Sequence, residues 1–326
     1  MSSSSIPQGP GSAVTAPLPT EGRLPGFDGA TGWLNSPALT GTDLRGKVVL
    51  VDFWTYTCIN WLRTLAYVRA WAEKYADQGL VVVGVHTPEF PFERDIDNVR
   101  RAVKDMNVEY PVPLDSDYAI WQAFANRYWP AVYIADAEGR IRHHQFGEGG
   151  YEECERGVQS LLREAGRDVA DDLISVAGDG LEAQADWTNL ETPETYLGYE
   201  QALNFVDGPF DRLRLNQWAL SGDWTTEAGA SVLNGPDGGI GFRFRARDVH
   251  LVLRTRERDA EAPFQVLVDG EPPGESHGLD VDEEGRGTLV EPRLYQLIRQ
   301  RGPIADRLFE ITFLAPGVEA YAFTFG

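Results

Sequence analysis

The chain has 326 residues, of which 42% are hydrophobic and 24% charged, a composition typical of globular proteins. The length is sufficient for two domains of ordinary size. The formal net charge of −21 repels nucleic-acid phosphates and anionic membrane surfaces, so neither is expected as a partner. The chain has two cysteines and five histidines, and we therefore predict no disulfide scaffold, no metal site and no cofactor.

The start of the chain predicts neither export nor a membrane span. MSSSSIPQGPGSAVTAPLPTEG lacks the basic and apolar regions of a signal peptide. No run of about 18 apolar residues, the length that a transmembrane helix needs, occurs anywhere in the sequence. We interpret residues 1–23 as a flexible tail and, from the sequence as written, expect a cytoplasmic location.

The next segment, residues 24–166, shows the alternation of strands and helices that is typical of an α/β domain. KVVLVDFW is a continuous apolar run that predicts a strand covered on both faces. Apolar residues then recur at helical spacing, at Trp61, Leu65, Val68, Ala72 and Tyr75. Further strands are predicted over 80–86, 131–135 and 141–146, and further helices over about 94–106, 118–124 and 151–163.

The second half of the chain has a different pattern. Residues 167–185 are acidic and weakly periodic, and we place a linker there. Residues 186–326 contain short alternating runs such as Phe264, Val266 and Val268, separated by Gly and Pro turns. This pattern predicts an all-β sandwich, in which residues 294–299 form one helical turn.

Several residues of the first half resemble, in order, those of thioredoxin-fold proteins. Asp52 lies six residues before Cys58, where thioredoxins carry a buried aspartate, and Trp54 holds their usual tryptophan position. Cys58 lies where the helix begins. Trp129 and Pro130 stand where that fold has its cis-proline loop. The resemblance implies a thiol–disulfide site at Cys58.

A narrower resemblance, to the extracytoplasmic region of DipZ-type proteins, extends over about residues 24–326. It depends on TCIN, GVHTPEF, NRYWPA, FGEGGYEE and, at residues 192–200, TPETYLGYE. This family implies thiol–disulfide interchange, protein or small-molecule thiols and disulfides as partners, and an extracytoplasmic location as the alternative. It also implies that the sandwich resembles a jelly-roll carbohydrate-binding module. No counterpart of the family's membrane-spanning half is found in this sequence.

The chain departs from these families at two positions of the helix. Trp61 stands where a C-x-x-C motif has its second, resolving cysteine, and Ala66 replaces the helix proline. Four hypotheses follow. In the first, Cys58 exchanges disulfides with an external resolving thiol, and in the second it reduces peroxide. In the third, the protein binds a partner or acts as a scaffold without turnover, and in the fourth Cys58 is inert. Thr55 resembles the T-x-x-C element of peroxiredoxins, although Val51 replaces that element's proline.

The predicted catalytic residue is Cys58, whose pKa we expect to be lowered by the helix N-terminus. The predicted supporting or substrate-binding residues are Asp52, Trp54, Thr55, Thr57, Trp61, Trp129 and Pro130. Without a resolving thiol, Asp52 becomes a structural relic with a raised pKa. Cys154 is interpreted as a small residue in helix packing, with resolution of Cys58 as the alternative.

The sandwich has its own candidate residues. Trp187, Trp218, Trp224 and Tyr295 have side chains that can stack on sugar rings, although such aromatics more often lie in cores. DVDEEG, at residues 280–285, has acidic groups but not the spacing of an EF-hand loop. We interpret it as a hairpin tip rather than a calcium site.

Overall fold

The computed structural model describes residues 17–326. Its N-terminal region contains one mixed sheet and four helices. The strands are β1 (Gly22–Arg23), β2 (Gly32–Leu34), β3 (Val48–Trp54), β4 (Leu80–His86), β5 (Val112–Leu114), β6 (Ala131–Ala135) and β7 (Arg140–Phe146). The helices are α1 (Ile59–Tyr75), α2 (Ile96–Asp105), α3 (Ala119–Ala123) and α4 (Tyr151–Glu164).

The sheet has the strand order β1-β7-β6-β3-β4-β5-β2. Strands β3, β4 and β5 run parallel to one another, and the hairpin β6–β7 adds antiparallel strands next to β3. Every residue of β3 is buried, because helices cover both faces of a largely parallel sheet. The predicted α/β order of this region is confirmed.

Helix α1 follows β3 directly and packs one face on the sheet. Trp61, Leu65 and Val68 of the predicted stripe are each fully buried. A short 3₁₀ turn continues the helix, and the chain then reverses at Gly79, whose φ of 96° lies in the left-handed region that glycine adopts without strain. Local sequence therefore sets the point at which the chain leaves this helix.

The start of the chain and the predicted linker both lie against the N-terminal region. Residues 1–16 of the expected tail lie outside the described residues. The rest of that tail is held, because the Arg142 guanidinium donates to the Leu18 carbonyl oxygen and β1 pairs with β7. In the linker segment, Val169 is buried and Glu182 forms an ion pair of 2.7 Å with Arg69 on α1. The described part of the tail and the linker are therefore both held against the N-terminal region, although few of their residues are apolar.

The C-terminal region consists of antiparallel strands in two sheets. The strands are β8 (Thr195–Tyr196), β9 (Trp218–Ser221), β10 (Trp224–Thr226), β11 (Ser231–Leu233), β12 (Gly238–Phe244), β13 (Asp248–Thr255), β14 (Ala262–Val268), β15 (Arg286–Leu289), β16 (Arg293–Arg299), β17 (Arg307–Phe313) and β18 (Val318–Phe325). One sheet has the order β10-β11-β18-β13-β16, with β8 also pairing β18, and the other β15-β14-β17-β12-β9. The predicted β-rich region is confirmed.

The helical turn predicted over residues 294–299 is wrong, because β16 occupies these residues. Leu294 packs with the side chains of the N-terminal region, whereas Tyr295 and Leu297 lie in the core between the two sheets. A strand that is buried on both faces loses its polar alternation. Its apolar run then cannot be distinguished from a helical turn by periodicity.

The two regions share a continuous hydrophobic core. Phe90 and Phe92, from the loop after β4, pack against Tyr321 of β18 with ring centroids 5.0 and 5.1 Å apart. Val252 of β13 belongs to the same buried cluster. The sheet containing β18 therefore covers the loop that follows β4, and this loop lies beside Cys58.

Candidate functional site

The junction between β3 and α1 places Cys58 at the first turn of the helix. Its backbone N–H donates to the Thr55 carbonyl oxygen at 3.3 Å, and its carbonyl oxygen accepts from the Leu62 N–H at 3.0 Å. The Cys58 side chain is half-buried, and its thiol donates to the Trp129 carbonyl oxygen at 3.7 Å. The structure thus brings together the two predicted parts of the site, the helix start and the loop before β6.

The loop before β6 is fixed on both sides of Pro130. The Trp129–Pro130 peptide bond is cis. The Trp129 indole donates to the Thr87 carbonyl oxygen at 3.1 Å and lies 4.3 Å from the Trp121 ring. The Pro130 carbonyl oxygen accepts from the Gly147 N–H at 2.9 Å. The backbone beside the Cys58 sulfur is therefore held in one position.

Trp61 occupies the interior of the site and pairs with the buried aspartate. Its indole N–H donates to Asp52 Oδ2 at 2.8 Å, and its ring stacks on Trp54 with centroids 4.3 Å apart. All three side chains are fully buried. Burial raises the pKa of Asp52 to about 7, against the lowering effect of the Trp61 hydrogen bond, so the predicted raised pKa is confirmed.

The two threonines beside Cys58 are both buried, and both hydroxyls lower the pKa of the Glu93 carboxyl against the larger, raising effect of burial. The Thr57 hydroxyl donates to Glu93 Oε1 at 2.6 Å. The other carboxylate oxygen of Glu93 accepts from the backbone N–H groups of Glu89 and Phe90, at 2.6 and 2.8 Å. Within residues 17–326, no hydrogen bond joins the Thr55 hydroxyl to the Cys58 sulfur. Thr57 thus fixes the loop after β4, and the Thr55 hydroxyl acts on the same Glu93 carboxyl.

The expected lowering of the pKa of Cys58 is wrong, because burial has the larger effect on this thiol. Burial and then the charges of Glu89 and Glu194 raise the pKa of the Cys58 thiol well above its usual range. The backbone N–H groups of Asn60 and Trp61 at the helix start act in the opposite direction, as expected, but more weakly. The helix N-terminus is therefore outweighed by burial and by two carboxylates.

Sequence reasoning missed a contribution from the C-terminal region. The Tyr196 hydroxyl, on β8, donates to the Glu89 carboxylate, and the Tyr196 ring lies 6.4 Å from that of Phe90. Glu194, two residues earlier, is exposed. Both residues lie in TPETYLGYE, which the sequence analysis used only as a family marker. No local pattern shows that this segment contacts the loop after β4.

The other predicted candidates lie apart from one another. Trp218 and Tyr295 are buried and cannot stack on a sugar, Trp224 is half-buried, and Trp187 is 61% exposed. Cys154 is a buried residue of α4 whose sulfur lies 3.6 Å from His143 Nε2, which agrees with a packing role.

Two further tests concern metals and membranes. Between residues 17 and 326, no group of three or more His, Cys, Asp and Glu side chains is arranged to hold a metal ion. None of the helices in this described part is long and apolar enough to cross a membrane.

Comparisons with known proteins agree with both regions. Residues 25–144 match the AhpC/TSA family and residues 192–326 match a thioredoxin-like C-terminal domain. Protein DipZ of Mycobacterium tuberculosis (strain CDC 1551 / Oshkosh) is 38% identical over 272 residues, which cover 79% of this chain and 38% of DipZ. The chain thus spans less than half the length of this relative.

Two smaller proteins match the N-terminal region alone. The thiol-disulfide oxidoreductase YkuV of Bacillus subtilis (strain 168) is 32% identical over 141 residues, which cover 43% of this chain and 95% of YkuV. A solved thioredoxin-like protein in the oxidised form is 33% identical, with a TM-score of 0.41, over 44% of this chain and 96% of that protein. The chain therefore belongs to the thioredoxin-like family that includes YkuV, and it joins the fold of a thiol–disulfide oxidoreductase to a β-rich C-terminal region.

Proposed function

We propose that the protein exchanges disulfides through Cys58 alone and that an external thiol completes the cycle. The observation that carries this proposal is the position of Cys58. Its partly buried side chain lies at the start of α1, and its thiol lies 3.7 Å from the carbonyl oxygen that precedes Pro130. The relative YkuV, whose length the chain covers almost completely, is a thiol-disulfide oxidoreductase.

The reaction divides into two exchanges. The Cys58 thiol loses its proton to a base in solution, and the thiolate attacks one sulfur of a disulfide. The S–S bond of the substrate breaks, a Cys58–substrate disulfide forms, and the departing thiolate takes up a proton. An external thiolate then attacks the mixed disulfide, which regenerates the Cys58 thiol as a new disulfide forms.

Trp61 makes an internal second step unavailable. It fills the position that a resolving cysteine would have, and its N–H binds Asp52 Oδ2, which would otherwise face that cysteine. Cys154 is buried on another helix and packs against His143. The mixed disulfide therefore persists until a thiol from outside the chain reaches it.

The test is intact mass of the full chain after exposure to the neutral disulfide bis(2-hydroxyethyl) disulfide, at an alkaline pH that ionises the thiol. We expect one adduct, which 2-mercaptoethanol removes. It is absent from Cys58→Ser and retained in Cys154→Ala, the matched control. An unmodified chain under these conditions refutes the proposal. A sulfenic acid formed with hydrogen peroxide, but no disulfide adduct, would instead support peroxide reduction.

A second candidate function is a binding or scaffold protein without turnover, and the raised pKa of the Cys58 thiol favours it. A raised pKa lowers the thiolate fraction, but it also makes the thiolate more nucleophilic. Each pKa unit therefore slows attack at neutral pH by about threefold rather than tenfold. Measuring the alkylation rate of Cys58 as a function of pH separates the two candidate functions. Disulfide exchange requires that the Cys58 thiolate, once formed, react as fast as an accessible model thiolate. A slower reaction favours the binding or scaffold function.

The remaining predictions concern the C-terminal region and the location of the protein. We propose that the two sheets form a jelly-roll of the carbohydrate-binding type, with the exposed Trp187 as the candidate aromatic for a glycan. Binding of neutral oligosaccharides that is lost in Trp187→Ala would support this proposal. The boundaries at residues 24–166 and 186–326, and the cytoplasmic location, stay predictions.

A further inference from the structure

Two carboxyl groups act on the Cys58 sulfur, and the C-terminal region supplies one of them. The loop that carries Glu89 is tied to the site on both sides, because Trp129 donates to the Thr87 carbonyl oxygen at 3.1 Å and Thr57 to Glu93 at 2.6 Å. Burial raises the pKa of Glu89 to about 8 and that of Glu194 to about 7, so both groups become negative as the pH rises through this range. Glu89 follows β4, and its carboxylate accepts from the Tyr196 hydroxyl. Tyr196 is fixed in turn, because it pairs with Ala322 in the register of β8 and β18. Glu194 precedes the same strand and is exposed. The segment from Glu194 to Tyr196 therefore adds a carboxyl group whose charge acts on Cys58, and it fixes the carboxyl group supplied by Glu89.

These four groups influence one another. Burial and then the charges of Glu89 and Glu194 raise the pKa of Cys58. Burial also raises the pKa of Tyr196, followed by the charges of Glu89, Glu194 and Cys58. The pKa of Glu89 is raised by burial and then by the charges of Glu194 and Glu93. The largest of these effects on Cys58 oppose the formation of its thiolate.

We propose that the C-terminal region completes the Cys58 site, and that Glu89 and Glu194 make this site select disulfides with a positive charge beside the sulfur. This inference rests on the proposed exchange at Cys58. The physical reason is that a cationic substrate offsets the negative charge of the two carboxylates once Glu194 has ionised near pH 7 and Glu89 near pH 8. An ammonium or guanidinium group that approaches the exposed Glu194 brings positive charge close to the sulfur.

The substrate's charge affects both steps of the attack. A cation within about 4–6 Å favours the ionised form of a thiol, so it offsets the two carboxylates when the substrate is bound. A carboxylate-bearing disulfide adds a third negative charge and is repelled. One pKa unit of this effect corresponds to about a tenfold change in the thiolate fraction. The bonds formed and broken are those of the proposed exchange and need no further reactant.

Tyr196 is a positioning residue in this arrangement. Its hydroxyl binds the Glu89 carboxylate, and this hydrogen bond lowers the pKa of Glu89 against the effect of burial. Selection of cations should therefore grow as the pH rises and Glu89 ionises. Without the hydroxyl, Glu89 ionises at a higher pH, and the pH at which the preference appears should move upward.

The experiment compares the rate of adduct formation on the full chain with three disulfides: cystamine (cationic), bis(2-hydroxyethyl) disulfide (neutral) and dithiodiglycolate (anionic). We expect cystamine to exceed dithiodiglycolate by about tenfold or more, relative to their rates with a free model thiol. Glu194→Gln and Glu89→Gln should each reduce this ratio severalfold. Glu200→Gln, which removes the same charge from an exposed position in the same segment, is the matched control.

The outcomes separate this inference from the proposed function. Equal rates with all three disulfides, or a ratio that neither Gln variant changes, overturn the charge selection and leave the exchange intact. An absence of adduct even with the neutral disulfide overturns both. For Tyr196→Phe we expect an upward shift in the pH at which the preference appears, and an unchanged pH profile refutes the positioning role. Peptide disulfides flanked by Lys or by Glu then distinguish protein substrates from small ones.

Discussion

Asp52 gives the sharpest test of how this core is built, because its carboxyl is fully buried beneath Trp61. The informative change is Asp52→Asn, which keeps the shape of the side chain and an oxygen that accepts from the Trp61 indole. It removes the ability to ionise and places an amide NH2 at Oδ1, a buried atom without a hydrogen-bond partner among the described residues. The cost of that NH2 group does not change with pH, so the pH dependence still reports ionisation. The expected result is a variant whose stability relative to the wild type increases with pH.

The magnitude follows from the pKa of Asp52 in the folded state, about 7. In the unfolded chain an aspartate has a pKa of about 3.9, so burial raises it by roughly three units, or about 4 kcal/mol. A raised pKa means that the folded state holds the proton more tightly. This contribution to stability is complete below about pH 4 and is lost as the pH rises through the folded pKa.

The assay is urea unfolding of both proteins across this pH range. Above about pH 8 we expect Asp52→Asn to be more stable than the wild type by as much as 4 kcal/mol, and the gain should disappear near pH 4. Other groups with shifted pKa values, such as His86 and Glu93, are present in both proteins. Their effects cancel in the difference.

A difference in unfolding free energy that does not change with pH would refute this reasoning. It would mean that Asp52 ionises in the folded protein as readily as in water. Trp61→Phe is the complementary control, because it removes the indole N–H but leaves Asp52 able to titrate. In that variant the pH dependence should persist.

Three further predictions concern Trp61 and the buried ion pair between Arg63 and Glu148. Trp61→Phe should lose about 1–3 kcal/mol, measured by urea unfolding, because Asp52 Oδ2 then has no donor. Trp61→Cys should allow a disulfide with Cys58, seen as a loss of two hydrogen masses after oxidation; a reduced pair in a folded variant would contradict it. Arg63→Met should cost about 3–5 kcal/mol, because it leaves Glu148 buried without its 3.1 Å partner. This loss should shrink at acid pH, where Glu148 is neutral, and a loss independent of pH would count against the ion pair.

The sequence predicts those elements whose pattern is local. The apolar run of β3, the helical stripe of α1 and the turn before β7 each appear where the sequence pattern indicates them. The same reasoning fails at β16, whose two faces contact different cores. Alternation of apolar and polar residues identifies a strand with one buried and one exposed face. It cannot identify a strand that is buried on both faces.

The contacts of the candidate site also differ in whether the local sequence could predict them. Cys58 and the Trp129–Pro130 loop could be placed from motifs, because Cys58 follows the end of β3 and the loop directly precedes β6. The Trp61 contact with Asp52 lies within one strand–helix unit, although nothing in the spacing shows the hydrogen bond itself. The contact of Tyr196 with Glu89 joins residues 107 positions apart. Only the packing of β8 on β18 brings them together.

The raised pKa of Cys58 connects the two candidate functions through rate. A thiolate of high pKa is a good nucleophile once formed but a poor leaving group, so a mixed disulfide that contains it is released slowly. Trp61 removes the internal thiol that would accelerate release. Both features act in the same direction and favour a long-lived covalent complex with the partner. In the proposed exchange, Cys58 attacks a disulfide of the partner, one thiol of that disulfide departs, and the partner stays bound as a mixed disulfide until an external thiol arrives. Binding and exchange at Cys58 are then successive stages of one process.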